Sequence, residues 1–189
     1  MKSCLVSREI HKNLYTKYSY IDKKERIAGS ITTLSGQIYE ALKSSTSIGK
    51  SIQTDSLSAS EDLLQESIAA AASIVRESGF LRALLMPGFM EVLLDTTPGQ
   101  RKLFIESAII AEDLVAFKEY QQLFDTLGQP VFLIGDNRRC EIFQRMVNLL
   151  KIDVPDFTTI NEETEIDDLN IKGALEIAAK VKYGRDDLK

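Results

Sequence analysis

The scarcity of certain residues narrows the chemistry first. There is one histidine, His11, and there are two cysteines, Cys4 and Cys140, far apart in the sequence. Without a Cys/His cluster a zinc site is not expected, and two lone cysteines are expected to be thiols rather than a disulfide. No apolar run reaches the length of about eighteen residues that a membrane-spanning helix needs, and charges within MKSCLVSREIHKN argue against a signal peptide. The expectation is a cytoplasmic protein that does not engage membranes. Excess positive charge is also missing: 23 Lys and Arg stand against 28 Asp and Glu, a net charge of −5, which argues against a general nucleic-acid binder. No internal repeat appears. What remains is ordinary, with 44% hydrophobic and 27% charged residues in 189 positions, enough for one domain with a core and too few for two ordinary ones.

The clearest local signal is Gln129 to Ile152. Val131-Phe132-Leu133-Ile134 is a continuous apolar run of strand length, cut by Gly135-Asp136-Asn137. From Arg138 the apolar positions become Ile142, Phe143, Met146, Val147 and Leu150, one face of a helix with Asp136 or Asn137 as N-cap. A strand, a tight turn and a helix in succession form a βα corner, where phosphate- or carboxylate-bearing ligands tend to sit in open α/β sheets.

Upstream, Leu14 to Ile21 alternates as a strand. Asp22-Lys23-Lys24-Glu25 is a polar turn, and Arg26 to Leu34 alternates again, so the two predict a hairpin. Ser3 to Ile10, joined through His11-Lys12-Asn13, would complete a three-stranded antiparallel meander. Ile38, Tyr39 and Leu42 start a helix, and the Ser/Thr-rich segment from Lys43 to Ser60 predicts a loop. Ser58-Ala59-Ser60-Glu61 has the pattern of a capping box before a long helix marked by Leu64, Ile68, Ala72 and Val75, closed by Gly79. Leu81 to Leu94 predicts a helix kinked or restarted at Pro87-Gly88. Thr97 as N-cap and Pro98 at the first position begin another helix, running to Phe117 with helical pattern continuing to Leu127. Asp156 to Ile160 is a strand candidate, Asn161 to Asp168 an acidic loop, and Leu169 to Val181 a last helix.

Meander, helix, helical insertions, strand, helix, strand, helix is the element order of one lobe of the actin-like, ribonuclease H-like ATPase fold. The run ITTLSGQIYEALKSSTSIGKSI, Ile31 to Ile52, resembles the stretch of 2-keto-3-deoxygalactonate kinases in which a threonine-rich strand leads through a Thr-Gly-Glu turn into a helix. Phe80 to Leu114 is similar to the helical region that follows there, and Gln129 to Leu150 to the strand and helix near that family's carboxyl end. The resemblance implies an α/β fold, a single actin-like lobe over residues 1–189, with a meander at 3–34, a helical region at 35–127 and two βα units at 129–181. It also implies ATP with magnesium as cofactors and a sugar acid as substrate of the complete enzyme.

Departures accompany the likeness. The family's first lobe, with its phosphate loop, would lie upstream of Met1. Its second phosphate hairpin, Pro-Gly-Thr-His-Ser-Lys, falls on Lys12-Asn13-Leu14-Tyr15-Thr16-Lys17, where Thr16 and Lys17 fit and the Pro-Gly turn is lost. Lys12 and Lys17 retain point charges. Gly36 stands in Ser35-Gly36-Gln37, with glutamine for the family's glutamate. Gly88 replaces an arginine, and Ser107 and Ala111 replace two glycines. The resemblance makes Lys12, Thr16, Lys17, Gly36, Gly135 and Asp136 the candidate nucleotide-binding residues, with Gly135 and Asp136 against adenine and ribose.

Phosphoryl transfer depends on positioned charge around the phosphates and the accepting hydroxyl, so a solitary lobe is not expected to turn over. Each candidate also has a plain structural role: Gly135-Asp136 as a capped turn, Lys12 and Lys17 as strand-end lysines, His11 as an idle turn residue, Glu162-Glu163-Thr164-Glu165 as a solvated run. Three readings follow. The first is the ATP-binding lobe of a sugar-acid kinase that needs a complementary lobe. The second is a degenerate, non-catalytic lobe, a pseudo-kinase that binds a partner or forms a homo-oligomer through Leu81 to Leu94. The third is a mainly helical interaction domain, whose signature would be the absence of the meander.

Overall fold

The protein is described here from a computed structural model, covering residues 2–8, 15–24, 26–53 and 60–183. The turn His11-Lys12-Asn13, Glu25, and positions 54–59 of the Ser/Thr-rich segment lie outside the described residues.

One five-stranded sheet organises the chain. Its strands are β1 (Lys2–Arg8), β2 (Tyr15–Ile21), β3 (Ile27–Thr33), β4 (Val131–Ile134) and β5 (Phe157–Ile160), in the order β3-β2-β1-β4-β5. β1 pairs with β2 and β2 with β3 antiparallel, whereas β4 runs parallel to both β1 and β5. The meander is therefore present, and the mainly helical reading fails on its own criterion. The β2–β3 turn closes on Asp22, whose carboxylate accepts the backbone N–H of Lys24 at 2.8 Å and of Arg26 at 3.0 Å and pairs with the Arg26 guanidinium at 2.8 Å. On β3, Gly29 allows the Phe124 ring to lie against the strand. A Cβ there would sit 2.1 Å from the ring.

Eight helices are described: α1 (Ser35–Ser45), α2 (Ser47–Ser51), α3 (Glu61–Ser78), α4 (Phe80–Ala83), α5 (Met86–Leu94), α6 (Pro98–Leu123), α7 (Asn137–Leu149) and α8 (Glu163–Tyr183). Several boundaries correct the sequence-based expectations. Lys43 to Ser51 is not loop: α1 continues to Ser45, and the Thr46 hydroxyl then caps α2 by accepting from Ile48 N at 3.2 Å. The cap of α3 is Ser60, accepting from Leu63 N, so Glu61 is the first helical residue and not the third of a box begun at Ser58. The break in the Leu81–Leu94 region falls at Leu84-Leu85, and Pro87 sits within the first turn of α5, where its missing N–H costs nothing. Thr97 and Gln100 form a reciprocal capping box, and α6 runs unbroken past Phe117 to Leu123. The acidic run from Glu163 to Asp168 is the start of α8 and not a loop, because carboxylates favour the positive end of a helix.

The core lies between the sheet and the helices α3, α6 and α7. Ile68 and Ala71 of α3, Leu103, Ala108 and Leu114 of α6, Ile142 and Met146 of α7, and Leu133 of β4 are all at most 1% exposed. A run of ring contacts crosses this core. Phe117 lies 5.4 Å from Tyr18 and 5.6 Å from Phe143, and Tyr120 lies 5.1 Å from Phe124. Gly79, at φ 85, ends α3 in a conformation that a side chain would strain.

Candidate functional site

Pairing directions bring the last residue of β3, the start of β2, the end of β4 and the starts of α1 and α7 to one edge of the sheet, which α6 crosses. Two features lie there, a buried polar cluster and an open pocket beside it.

The cluster is built on Asp113 of α6, 4% exposed. Thr33 Oγ1 donates to its Oδ1 at 2.7 Å and Thr16 Oγ1 to its Oδ2 at 3.0 Å. The Ser35 hydroxyl lies 2.7 Å from that of Thr16 and 3.2 Å from that of Thr33. One step along β2, the Tyr18 hydroxyl donates to the Asp113 carbonyl at 3.0 Å. Arg139 of α7 reaches the group with a single atom: its Nη2 is 3.4 Å from Thr16 Oγ1, 3.4 Å from Ser35 Oγ and 3.7 Å from Asp113 Oδ2. Burial pushes the Asp113 carboxyl above its ordinary range, and the hydrogen bond from Thr33, the Arg139 charge and the bonds from Ser35 and Thr16 oppose that rise.

The pocket, of about 250 Å³, opens between α1, α6 and α7. Lys43, Lys102, Arg138 and Arg139 line it against the carboxylates of Glu40, Glu106 and Asp136. Four cations thus face three carboxylates, and burial raises the Glu106 carboxyl above its ordinary range. Tyr39 donates to Glu106 Oε1 at 3.3 Å. Glu106 Oε2 and the Nε and Nη2 atoms of Arg138 are buried and have no hydrogen-bond partner among the described residues. Leaving such groups unmatched is costly, and a polar ligand would relieve part of that cost.

The candidate residues from the sequence separate here. Thr16 enters the buried cluster. Lys17, next to it, is exposed and points to the opposite face of the sheet, as strand alternation requires, so the structure does not bring the two side chains together. Gly36 is buried in the first turn of α1. Gly135, at φ 151, donates its N–H to Ile160 O at 3.1 Å and ties β4 to β5. Asp136 lines the pocket and also caps α7, accepting from Arg139 N at 3.0 Å. Lys12 and His11 lie outside the described residues. Cys140 is a buried free thiol pushed up to about 11, mainly by burial, and so is no nucleophile. The cysteine at position 4 belongs to a strand whose side chains are outside the described set.

Sequence reasoning misses Asp113, Arg139, Thr33 and Ser35. Two signals are present. Asp113 interrupts the apolar face carried by Ile109, Ile110, Leu114 and Phe117, and Arg138-Arg139 places two cations in the first turn of a helix, where the macrodipole opposes them.

A mixed α/β sheet with a positively lined pocket at the ends of its parallel strands is an arrangement suited to phosphate-bearing ligands. The fold resembles a crystal structure from Sinorhizobium meliloti whose assignment as a 2-dehydro-3-deoxygalactonokinase is provisional, with a TM-score of 0.69 at 10% identity, over 95% of this chain and 54% of that one. Residues 15–165 match the 2-keto-3-deoxy-galactonokinase family, and the chain belongs to that family. It spans about half the length of the structure it resembles. A search of curated proteins gives no significant match. Among the described residues no helix is long and apolar enough to cross a membrane.

Proposed function

We propose that this chain is the nucleotide-binding lobe of a sugar-acid kinase, an actin-like, ribonuclease H-like lobe that takes part in phosphoryl transfer from ATP to a 2-keto-3-deoxy sugar acid only together with a complementary lobe. The observation that carries the reading is the positively lined pocket at the β4–α7 corner, in a chain whose family acts as a kinase. Its sheet order, a meander followed by two parallel strands, supports the lobe assignment. Lys102, Arg138 and Arg139 would hold the charged part of the nucleotide, and Asp136 would face its sugar. Among the described residues no group of three His, Cys, Asp or Glu side chains is placed to hold a metal ion, so magnesium would arrive with the nucleotide and be held chiefly by its phosphates.

Calorimetric titration of the chain with magnesium ATP and magnesium ADP tests this. The expected result is binding that is lost in Gly135→Val, whose side chain would strain the corner at φ 151. A thermal melt confirms that the variant is folded. Absence of binding at millimolar nucleotide sinks the proposal.

One observation favours a second reading, a non-catalytic lobe that binds a partner. Leu81 is 80% exposed, Val92 81% and Leu93 71%, on neighbouring helices α4 and α5. Self-association without nucleotide binding, seen by sedimentation, would support it.

A further inference from the structure

The geometry points to Arg139 as the anchor for the phosphate chain of the nucleotide, and to Asp113 as the positioning residue that aims it. This rests on the nucleotide reading above and adds to it a residue that no motif comparison singles out.

The three arginines of α7 differ in how they are engaged. Arg145 is committed to Glu141 at 2.8 Å and to Glu61, and Arg138 gives Nη1 alone to Glu141 at 3.3 Å, with its Nε and Nη2 buried. Arg139 has no such surface partner. Among the described residues its polar side-chain contacts pass through Nη2, at 3.4 Å or more, and Nε and Nη1 make no hydrogen bond. It therefore stands between two environments, with one nitrogen on the cluster and the side chain forming part of the wall of the 250 Å³ pocket.

Its position calls for a compensating anion. A cation in the first turn of a helix works against the dipole, and the Asp136 carboxylate and Asp113 offset this only in part. Asp113 cannot follow Arg139 into the pocket, because Thr33 and Thr16 pin both of its oxygens and its exposure is 4%. Thr16, in turn, gives its hydroxyl hydrogen to Asp113 and has none left for a phosphate. The threonine that sequence comparison aligns with a phosphate hairpin is thus part of the frame, and the donors left to meet a phosphate belong to Arg139, beside the buried, unpartnered Nε and Nη2 of Arg138. A guanidinium with two free donors suits a phosphate oxygen pair better than it suits any neutral group. The ligand class is a nucleoside diphosphate or triphosphate, bound more tightly than the bare nucleoside.

The test compares ADP with adenosine by calorimetry on the 189-residue chain, in magnesium buffer, for wild type, Arg139→Met, Arg139→Lys and Asp113→Asn. The wild type is expected to prefer ADP. In Arg139→Met that preference falls by roughly tenfold, the value of one charge-assisted contact, while adenosine affinity is unchanged. Arg139→Lys restores part of the preference, and Asp113→Asn lowers it by a smaller factor. A merely structural role would weaken both ligands together. If Arg139→Met binds ADP with an unaltered preference, the inference is overturned and the nucleotide reading stands. If wild type binds neither ligand, both are overturned. Arg139 is partly exposed, so its substitution leaves the fold intact even if Asp113→Asn does not.

Discussion

Two ends of the same stretch of α6 behave oppositely. Around Phe117 and Tyr120 the helix packs rings against Tyr18, Phe124 and Phe143, and burial there removes apolar area from water. One turn earlier, at Asp113, an equally buried position holds a carboxylate, three hydroxyls and a guanidinium. Packing alone would place a leucine there. The apolar end therefore carries the stability, and the polar end gives some of it up to keep charge at the sheet edge beside the pocket.

This contrast can be broken by substitution. Phe117→Ala, at 1% exposure, is expected to cost about 3–5 kcal/mol in urea unfolding, the range for an aromatic deleted from a packed core. Asp113→Ala is expected to cost less, about 1–3 kcal/mol, because it strands the Thr16 and Thr33 donors but also releases a buried charge. A loss as large as that of Phe117→Ala would show the polar cluster to be a structural keystone and erase the distinction. Tyr18→Phe joins the two regions, since its ring belongs to the aromatic group and its hydroxyl to Asp113 O. The expected cost is about 1 kcal/mol, with no change in the ring packing seen by near-ultraviolet circular dichroism.

The smallest expected effect is a slope with pH. Because the Asp113 carboxyl is held above its ordinary 3.8, in the pH window just above that value the folded protein keeps a proton that the unfolded chain has released. That contribution to stability is complete below pH 3.8 and is lost as pH rises through the folded value. Urea midpoints measured from about pH 4 to about pH 7 should therefore fall more in wild type than in Asp113→Asn. Equal slopes would mean that Asp113 ionises in the folded protein as it does in the unfolded chain.

Much of the scaffold is legible in the sequence because it rests on local pattern. The apolar run and the spacing after it give Val131–Ile134 and its helix within a residue of their bounds, with Asp136 or Asn137 as the cap, of which the structure selects Asp136. The same logic misreads Lys43 to Ser51 and Glu163 to Asp168, where polar composition resembles loop although capping and the helix dipole favour helix. The site is legible only in pieces. Thr16, Thr33, Asp113 and Arg139 come together through pairing across the sheet and the passage of α6, and no spacing along the chain records that. Family likeness leads to Thr16, Gly135 and Asp136, whereas the cation facing the pocket emerges only from its contacts.

The central strand β1 is joined to β2 by a short connection and to β4 across more than a hundred residues. During synthesis the hairpin leaves the ribosome long before its other neighbour exists. At ordinary elongation rates β1 then waits roughly 5–20 s with one row of amides and carbonyls open. Until Val131 to Ile134 emerges, that row is a template for any other extended chain nearby. That edge closes only when β4 pairs with β1, so the sheet is completed late in synthesis.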